Sequence, residues 1–487
     1  MKLSELVREL GIDCGSLANT ELDGLTSDNR VTPGKSFAFV CIKGNTFDGH
    51  SAAAAMVEKG AAAVFCEHDL GLPQQIIVED TRGIYPHLCS AWFGHPEREV
   101  KMLGVTGTNG KTTITTTLKK TLMALGKKSG LIGTCQNEIG DEVLPTARTT
   151  PEPYDLFELL RKMADAGCEY VVMEVSSQGL EQKRTGPCRF ELAVFTNLTQ
   201  DHLDVHGTME NYYQAKKLLF DISGEALINI DDDHGRRYLE EITIPARTYS
   251  AVEPADYYAE SVSLGASGVK YVYCCGGEGC DNRHNVTFAM PGLFNVSNSL
   301  AVIAVCDMLG IGAKAAVDKI NSMTGVRGRA EVIPTGRDFT VICDYAHTPD
   351  AVSNVLRAIR NGTEGRLVCL FGCGGNRDAK KRPLMAKAAA ENADYLIVTS
   401  DNPRNEDPDA IIEDILKGLE GNSTPYTRIT DRREAIFYAV RNARAGDVIV
   451  LAGKGHEDYQ ILAGGKKIHF DEREIVAQAL GQEIETD

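Results

Sequence analysis

A chain of 487 residues is about three times the ~150 residues typical of one domain, so two or three separately cored domains are expected. Hydrophobic residues at 43% and charged residues at 24% exclude a disordered or fibrous chain, and a formal net charge of −17 excludes broad attachment to nucleic acid or to an anionic membrane. Small molecules are the partners this leaves.

Residues 1–10 have a helical period with charges inside it, which does not fit a secretory signal, and no run of about 18 uncharged apolar residues occurs. A cytoplasmic protein is expected. The 14 cysteines then read as reduced, buried small hydrophobes, as at Cys343 and Cys369. Cys274, Cys275 and Cys280 hint at metal spacing, but no second Cys/His pair accompanies them.

In chain order, β-rich runs at 36–42 and 62–65 alternate with an alanine-rich helix near 50–59, giving a small domain over 1–97. A buried strand at 101–106 and a helix at 111–125, closed by Gly126 as a left-handed terminator, open a second domain over 98–329. Strands at 170–174, 193–196 and 226–230 continue it as a βα alternation, hence a mostly parallel sheet. The glycine-rich piece 271–285 is polar and irregular and reads as a surface hairpin or excursion. After Arg329 come strand 339–345, helix 349–359, strand 366–371, helix 379–391, strand 395–399, helices 409–419 and 432–443, and strand 447–451, a doubly wound unit over 330–487. The expected fold class is α/β in three domains: a small N-terminal α/β domain, a central P-loop ATPase-like parallel-sheet domain and a C-terminal Rossmann-like domain.

The stretch Gly104-Val-Thr-Gly-Thr-Asn-Gly-Lys-Thr-Thr113 runs from strand through a glycine-rich turn into a helix. Such a turn presents backbone N–H groups and the positive helix end to a phosphate. Gly107 and Gly110 permit the turn, Lys111 can bridge the outer phosphates, and the Thr112 hydroxyl can reach magnesium. Glu174 closes a buried strand, at the end where a parallel sheet holds its ligands, and suits a magnesium ligand or a satisfied structural acid. The loop Thr196-Asn-Leu-Thr-Gln-Asp-His-Leu-Asp-Val-His206 sets Asp201, His202, Asp204 and His206 beside the same edge, with Asp204 and His206 read as turn-stabilising groups.

Gly107-Thr-Asn-Gly-Lys-Thr-Thr113, Met173-Glu-Val-Ser-Ser177, Thr196-Asn197 with Asp201-His-Leu-Asp204, Gly292-Leu-Phe-Asn-Val-Ser-Asn298, Asp344-Tyr-Ala-His347 and Asp401-Asn-Pro-Arg404 follow one another in the order of the Mur ligase family, which the chain resembles over nearly its whole length. The resemblance implies a cytoplasmic ligase of bacterial peptidoglycan synthesis that uses ATP to phosphorylate a substrate carboxylate and then lets an amine displace the phosphate. Charge growing on the phosphoryl oxygens would be met by Lys111 and two magnesium ions. Thr112 and Glu174 would hold one ion, and His202 the other. A lysine carbamylated by CO2 belongs near the second ion in this family and maps to Lys216. That chemistry needs a neutral amine, hence a depressed pKa. Lys217, about 100° around the helix, suits a solvated lysine better.

The resemblance also places the ATP contacts at Gly107, Thr108, Asn109, Gly110, Lys111, Thr112 and Thr113, with adenine, phosphate and ribose contacts at Asn295, Arg329, Asp344 and His347. Ser27 and Arg30, with the loop 44–50, resemble uridine-site segments. Thr149, Thr150, Ser176 and Arg184 resemble the contacts of a UDP-N-acetylmuramoyl-L-alanyl-D-glutamate substrate, with Gln178 where histidine is usual. The piece Phe371-Gly-Cys-Gly-Gly-Asn-Arg-Asp378 imitates a dinucleotide fingerprint, but Arg377 at the third glycine position opposes a nicotinamide enzyme. Arg404, aimed by Pro403, suits a substrate carboxylate. With Asp401, Asn402 and Pro403 it matches the Asp-Asn-Pro-Arg pattern, by which the resemblance implies meso-diaminopimelate as the added amino acid, with Arg377, Gly453 and Glu457 in the same pocket. L-lysine, a folylpolyglutamate-type ligase and, in a different class, a P-loop regulatory module are the alternatives. A monomer without nucleic-acid or membrane partners is expected.

Overall fold

Side chains alternate across the first two long strands, and that alternation builds the first sheet. Phe37 and Phe39 of Phe37–Val40 join Met56, Val64 and Cys66 on one face, while Ala38 and Val40 join Ala63, Phe65 and Leu88 on the other. The four strands Gly24–Thr26, Phe37–Val40, Ala61–Cys66 and Gln75–Ile77 pair in parallel in that order. The protein is described from a computed structural model over residues 1–44, 47–276 and 283–481, with the backbone alone for Asp204. It divides into two compact units, Met1–Thr248 and Tyr249–Asp487.

The first unit also carries a sheet of order Ser223–Asn229, Phe190–Phe195, Lys101–Thr106, Tyr170–Glu174, Ser129–Ile132, Asn137–Ile139 and Glu142–Leu144. The first five strands are parallel, and a short antiparallel hairpin finishes the edge. Val105 pairs with Glu174 and Thr106 with Phe195, so three strands end together and deliver their following loops to one edge. Gly104 lies within its strand, as expected for 101–106, and only glycine fits there: a Cβ would meet the Phe190 ring at 2.8 Å. The helix Lys111–Ala124 ends with Gly126 at φ +77°. An apolar cluster runs from Leu3, Tyr85 and Leu88 to Leu156, Phe157 and Leu160.

In the second unit, the described parts of 271–285 are two antiparallel strands, in keeping with the hairpin reading, but they reach the core instead of lying on the surface. Strands Gly268–Cys275 and His284–Phe288 pair antiparallel, with Tyr271 and Tyr273 alternating into the core, so period-2 burial overrides the polar composition. Cys280 lies outside the described residues, as do Asn45 and Thr46 of the 44–50 loop. A six-stranded sheet follows, ordered Glu331–Ile333, Thr340–Asp344, Val448–Ala452, Leu367–Phe371, Tyr395–Val398 and Tyr426–Arg428, parallel except for its first strand. Helices Pro349–Arg360 and Lys381–Asn392 cover the face of Cys369 and Phe371, while Arg432–Arg441 and Glu472–Leu480 cover that of Val368 and Leu370. Each fully buried Leu, Ile or Phe on these faces contributes about 1.5–3 kcal/mol. Among the described residues no two cysteines form a disulfide.

Candidate active site

Between strand Lys101–Thr106 and helix Lys111–Ala124 the backbone turns through Gly107 at φ +146° and Gly110 at φ +89°. No larger residue fits at Gly107, where a Cβ would lie 1.8 Å from Thr196 Oγ1. The strand-end loop at 196–199 braces the turn. Thr108 N donates to Asn197 O at 2.8 Å, Asn109 N to Asn197 Oδ1 at 2.9 Å, and Thr196 Oγ1 to Asn109 O at 2.6 Å. Lys111 Nζ folds over the loop onto Gly107 O at 2.8 Å and Thr108 O at 2.9 Å. Thr112 and Thr113 are buried in the first helical turn.

Glu174 is buried at the end of its strand and receives Thr112 Oγ1 at 3.1 Å, Thr134 Oγ1 at 2.9 Å and Thr134 N at 3.0 Å. Two hard oxygen donors, the Thr112 hydroxyl and the Glu174 carboxylate, therefore meet at the mouth of the phosphate loop, a donor set that fits magnesium. Among the described residues no three His, Cys, Asp or Glu side chains gather as a metal site.

Lys216, on helix Met209–Asp221, is fully buried, and its Nζ donates to Gly107 O at 2.9 Å. Its ammonium form is disfavoured first by burial and then by the nearby Lys111, so its pKa lies well below the usual lysine value. Lys217 instead pairs with Glu241 at 2.8 Å, partly exposed. Tyr212 organises the surroundings: Lys216 lies 4.4 Å over its ring, His206 stacks on it at 4.9 Å, the His202 ring stands edge-on at 6.1 Å, and its hydroxyl reaches Thr108 Oγ1 at 3.3 Å. His202 sits at φ +53° with Nε2 3.5 Å from Asp201. His206 is buried against Ser177 Oγ at 2.9 Å and Glu181 at 3.1 Å.

Thr150, Ser176 and Arg184 come together beneath Glu174. Thr150 Oγ1 donates to Glu174 O at 3.0 Å, Ser176 Oγ to Thr150 Oγ1 at 3.1 Å, and Arg184 Nη1 to Thr150 O at 2.8 Å. Thr149 Oγ1 lies 3.0 Å from Thr134 Oγ1. Arg184 is buried, which weakens its hold on the proton, and Glu152 at 3.1 Å opposes that. Ser27 follows the strand Gly24–Thr26, while Arg30 is exposed and clamps Asp28 at 2.6 Å.

In the second unit, Asn295 is fully buried with its amide in use: Nδ2 donates to Pro291 O at 2.8 Å and Oδ1 accepts from Asn298 at 3.0 Å. Arg329 lies 5.0 Å over the Tyr345 ring. Burial pushes the Asp344 carboxyl above its usual range, even though Ala330 N at 2.7 Å and Ala346 N at 2.8 Å donate to its two oxygens. The exposed His347 reaches Tyr345 O at 2.9 Å.

Three segments of this unit interlock at the C-terminal ends of its strands. Gly375 N donates to Asn402 O at 2.9 Å, Asn405 N to Asn376 Oδ1 at 3.0 Å, and Arg404 Nη1 to Gly375 O at 3.0 Å. Arg404 and Asn376 both sit at φ +52°, a left-handed strain of about 1–3 kcal/mol each. A Cβ on Gly375 would strike Pro403 O at 1.9 Å, which ties the glycine-rich loop of the exposed Arg377 to the Asp401–Arg404 turn. The third segment enters through Asn402, whose Nδ2 donates to Glu457 Oε2 at 2.9 Å and whose Oδ1 receives Lys454 Nζ at 3.1 Å and Ile461 N at 2.9 Å. Gly453 abuts Asp401, where a Cβ would lie 2.9 Å from Oδ2. Burial alone would raise the Asp401 carboxyl, but Lys454 and Arg432 outweigh it and hold it below the usual range.

Sequence reasoning missed Thr134, Tyr212 and Lys454. Tyr212 lies four residues before Lys216, a spacing that stacks side chains on one helix face and could have found it. Lys454 hid inside the Gly453–Glu457 segment, and nothing in the sequence marks Thr134.

A phosphate loop braced by a neighbouring strand end, with a buried carboxylate at its mouth, defines a P-loop enzyme. Residues 105–306 match the Mur ligase middle domain and 328–455 the Mur ligase glutamate ligase domain. A Caldanaerobacter subterraneus subsp. tengcongensis protein named UDP-N-acetylmuramoyl-L-alanyl-D-glutamate–2,6-diaminopimelate ligase is 43% identical over 99% of each chain. A Clostridium acetobutylicum protein of that name, numbered 1, is 43% identical over 98% of this chain and 99% of its own. A solved structure of a ligase of the same name superimposes with a TM-score of 0.74 at 32% identity, covering 99% of each chain. The chain belongs to the Mur ligase family, and it is an ATP-dependent ligase.

Proposed function

We propose that this ligase joins meso-2,6-diaminopimelate to UDP-N-acetylmuramoyl-L-alanyl-D-glutamate in the synthesis of peptidoglycan precursors. The observation that carries the choice of amino acid is Arg404: Nη1 is anchored on Gly375 O and Asn402 O, and among the described residues its other guanidinium nitrogens hold no partner, leaving a fork for a carboxylate that lysine lacks. Full-length relatives bearing the diaminopimelate name support the reading.

In this reading ATP phosphorylates one free carboxylate of the terminal glutamyl residue, releasing ADP. The amine of diaminopimelate, having lost its proton, attacks the acyl carbon, and phosphate leaves as the amide forms. Lys111 and the helix start hold the phosphates. Thr112 and Glu174 would hold one magnesium ion, with His202 toward a second, and these ions neutralise charge on the transferring phosphoryl group when bound. Lys216, a buried amine whose charged form is disfavoured by burial and by Lys111, is suited to take up CO2 as a carbamate and so place an anion beside the second ion. Ser27, Arg30, Thr149, Thr150, Ser176 and Arg184 are assigned to the nucleotide-sugar peptide. Asn295, Arg329, Asp344 and His347 are assigned to the adenine, phosphates and ribose of ATP. Arg377, Asp401, Asn402, Pro403, Gly453 and Glu457 complete the amino-acid pocket, with Glu457 facing the distant ammonium. A cytoplasmic monomer divided at 1–97, 98–329 and 330–487 completes the proposal.

Phosphate release from the full chain tests it. Release should require both the nucleotide-sugar dipeptide and meso-diaminopimelate, and release that proceeds equally well with L-lysine would sink the amino-acid assignment. Lys216→Ala should lose activity and regain part of it with a short carboxylate; full unrescued activity contradicts the carbamate.

A further inference from the structure

One fully buried arginine acts in the roles above only through its charge on Asp401. Arg432 opens the helix Arg432–Arg441 with no exposed side-chain surface. Its Nε donates to Glu472 Oε1 at 2.8 Å, Nη2 lies 2.7 Å from the same oxygen, Nη2 donates to Ala452 O at 3.0 Å, and Nη1 reaches Ser400 O at 3.5 Å. Glu472, equally buried, accepts Cys343 Sγ at 3.1 Å through its other oxygen.

The two carbonyls are what matter. Ser400 directly precedes Asp401, and Ala452 directly precedes Gly453, so one guanidinium grips the roots of both turns that build the amino-acid pocket. Those turns leave strands Tyr395–Val398 and Val448–Ala452, which are not neighbours, because Leu367–Phe371 lies between them. Two strand spacings are about 10 Å, and no ladder hydrogen bond crosses that gap. A planar fork with five donors can cross it, whereas an ammonium concentrates its donors at one point. The tolerance is small, since Gly453 already abuts the Asp401 carboxylate.

We infer that Arg432, oriented by Glu472, is a positioning residue for the amino-acid pocket: it fixes the spacing between the Asp401–Arg404 and Gly453–Glu457 turns and thereby governs affinity for the diamino acid without touching it. This rests on the reading of those turns as the diaminopimelate pocket. A buried ion pair of this kind is weak evidence for stability, since apolar replacement of both partners is often neutral. That separates a positioning role from a merely structural one.

The test compares wild type, Arg432→Lys and the paired Arg432→Met/Glu472→Met in the full chain by thermal unfolding and by phosphate release, varying one substrate at a time. The paired variant should unfold within a few degrees of wild type, with the KM for meso-diaminopimelate raised about tenfold or more and the KM values for ATP and the nucleotide-sugar dipeptide within about twofold. Arg432→Lys, which keeps the charge but not the fork, should fall between. If the paired variant does not fold, Arg432→Lys decides by the same criteria. An unchanged KM for the diamino acid, or a parallel change in all three KM values, overturns the positioning role. Wild type that releases no phosphate with meso-diaminopimelate overturns instead the functional reading, and the identity of the pocket with it.

Discussion

Replacing Arg404 by alanine isolates the carboxylate contact that separates diaminopimelate from lysine. Alanine keeps a Cβ, so the left-handed strain at φ +52° is the same in both proteins and cancels. The internal loss is the hydrogen bond to Gly375 O at 3.0 Å, about 1 kcal/mol, which should lower the melting temperature by about 2–4 °C in a unit of this size. The substrate loses two charge-assisted hydrogen bonds of about 1.5 kcal/mol or more each, roughly 3 kcal/mol together. Since about 1.4 kcal/mol is tenfold, kcat/KM for meso-diaminopimelate should fall about 100-fold. With L-lysine as the amine, which offers no carboxylate there, kcat/KM should change less than about threefold, and the KM for ATP should stay within about twofold. The assay is phosphate release with the amine varied and the other substrates saturating. Parallel losses with both amines, or an unchanged value for diaminopimelate, would refute the assignment of Arg404.

Gly107→Ala should abolish most ATP-dependent turnover, about 100-fold or more in kcat/KM for ATP, because its Cβ would lie 1.8 Å from Thr196 Oγ1 at a φ of +146°. Adding Thr196→Ala removes the collision but not the strain, so recovery should be partial; complete recovery would show that the left-handed turn does not matter. Thr134→Val deletes the hydroxyl 2.9 Å from Glu174 Oε2, about 1 kcal/mol, and should raise the magnesium concentration for half-maximal activity about fivefold; an unchanged magnesium titration counts against the proposed ligand set. Lys216 has a folded pKa depressed by burial and by Lys111, so the unfolded chain binds more protons between that value and about 10.4, and stability rises with pH across this window. In CO2-depleted buffer the unfolding free energy of wild type relative to Lys216→Met should therefore climb as pH approaches about 10, and a flat difference would show that Lys216 is not held neutral.

The strand–loop–helix of the phosphate site was legible because its signals are local. A buried run, two glycines and Lys-Thr-Thr occur within a dozen residues, and strand 101–106 and helix 111–125 lie where they were expected to within a residue. Gly104 lies inside that strand, as the range 101–106 implies, but the Phe190 ring of a neighbouring strand, which requires a glycine there, has no local signal in the sequence. The antiparallel pairing around 271–285 agrees with the hairpin reading, but its burial was not foreseen, because glycine and cysteine composition outweighed the Tyr271, Tyr273 alternation that decides it.

By itself the sequence determined the α/β class, the phosphate loop, Glu174 at a strand end, and the likeness to the Mur ligases, each read from short motifs or elements whose own residues are near one another in the chain. Tertiary structure alone decided that Lys216 and Lys111 share the Gly107 carbonyl, that Thr134 holds Glu174, and that Lys454 and Arg432 lie beneath the amino-acid turns. Such contacts join residues tens to more than a hundred positions apart. Which distant side chains meet is set by strand order and register, and burial then fixes what a buried amine or carboxylate can do, whereas in sequence each of these residues is an ordinary polar side chain.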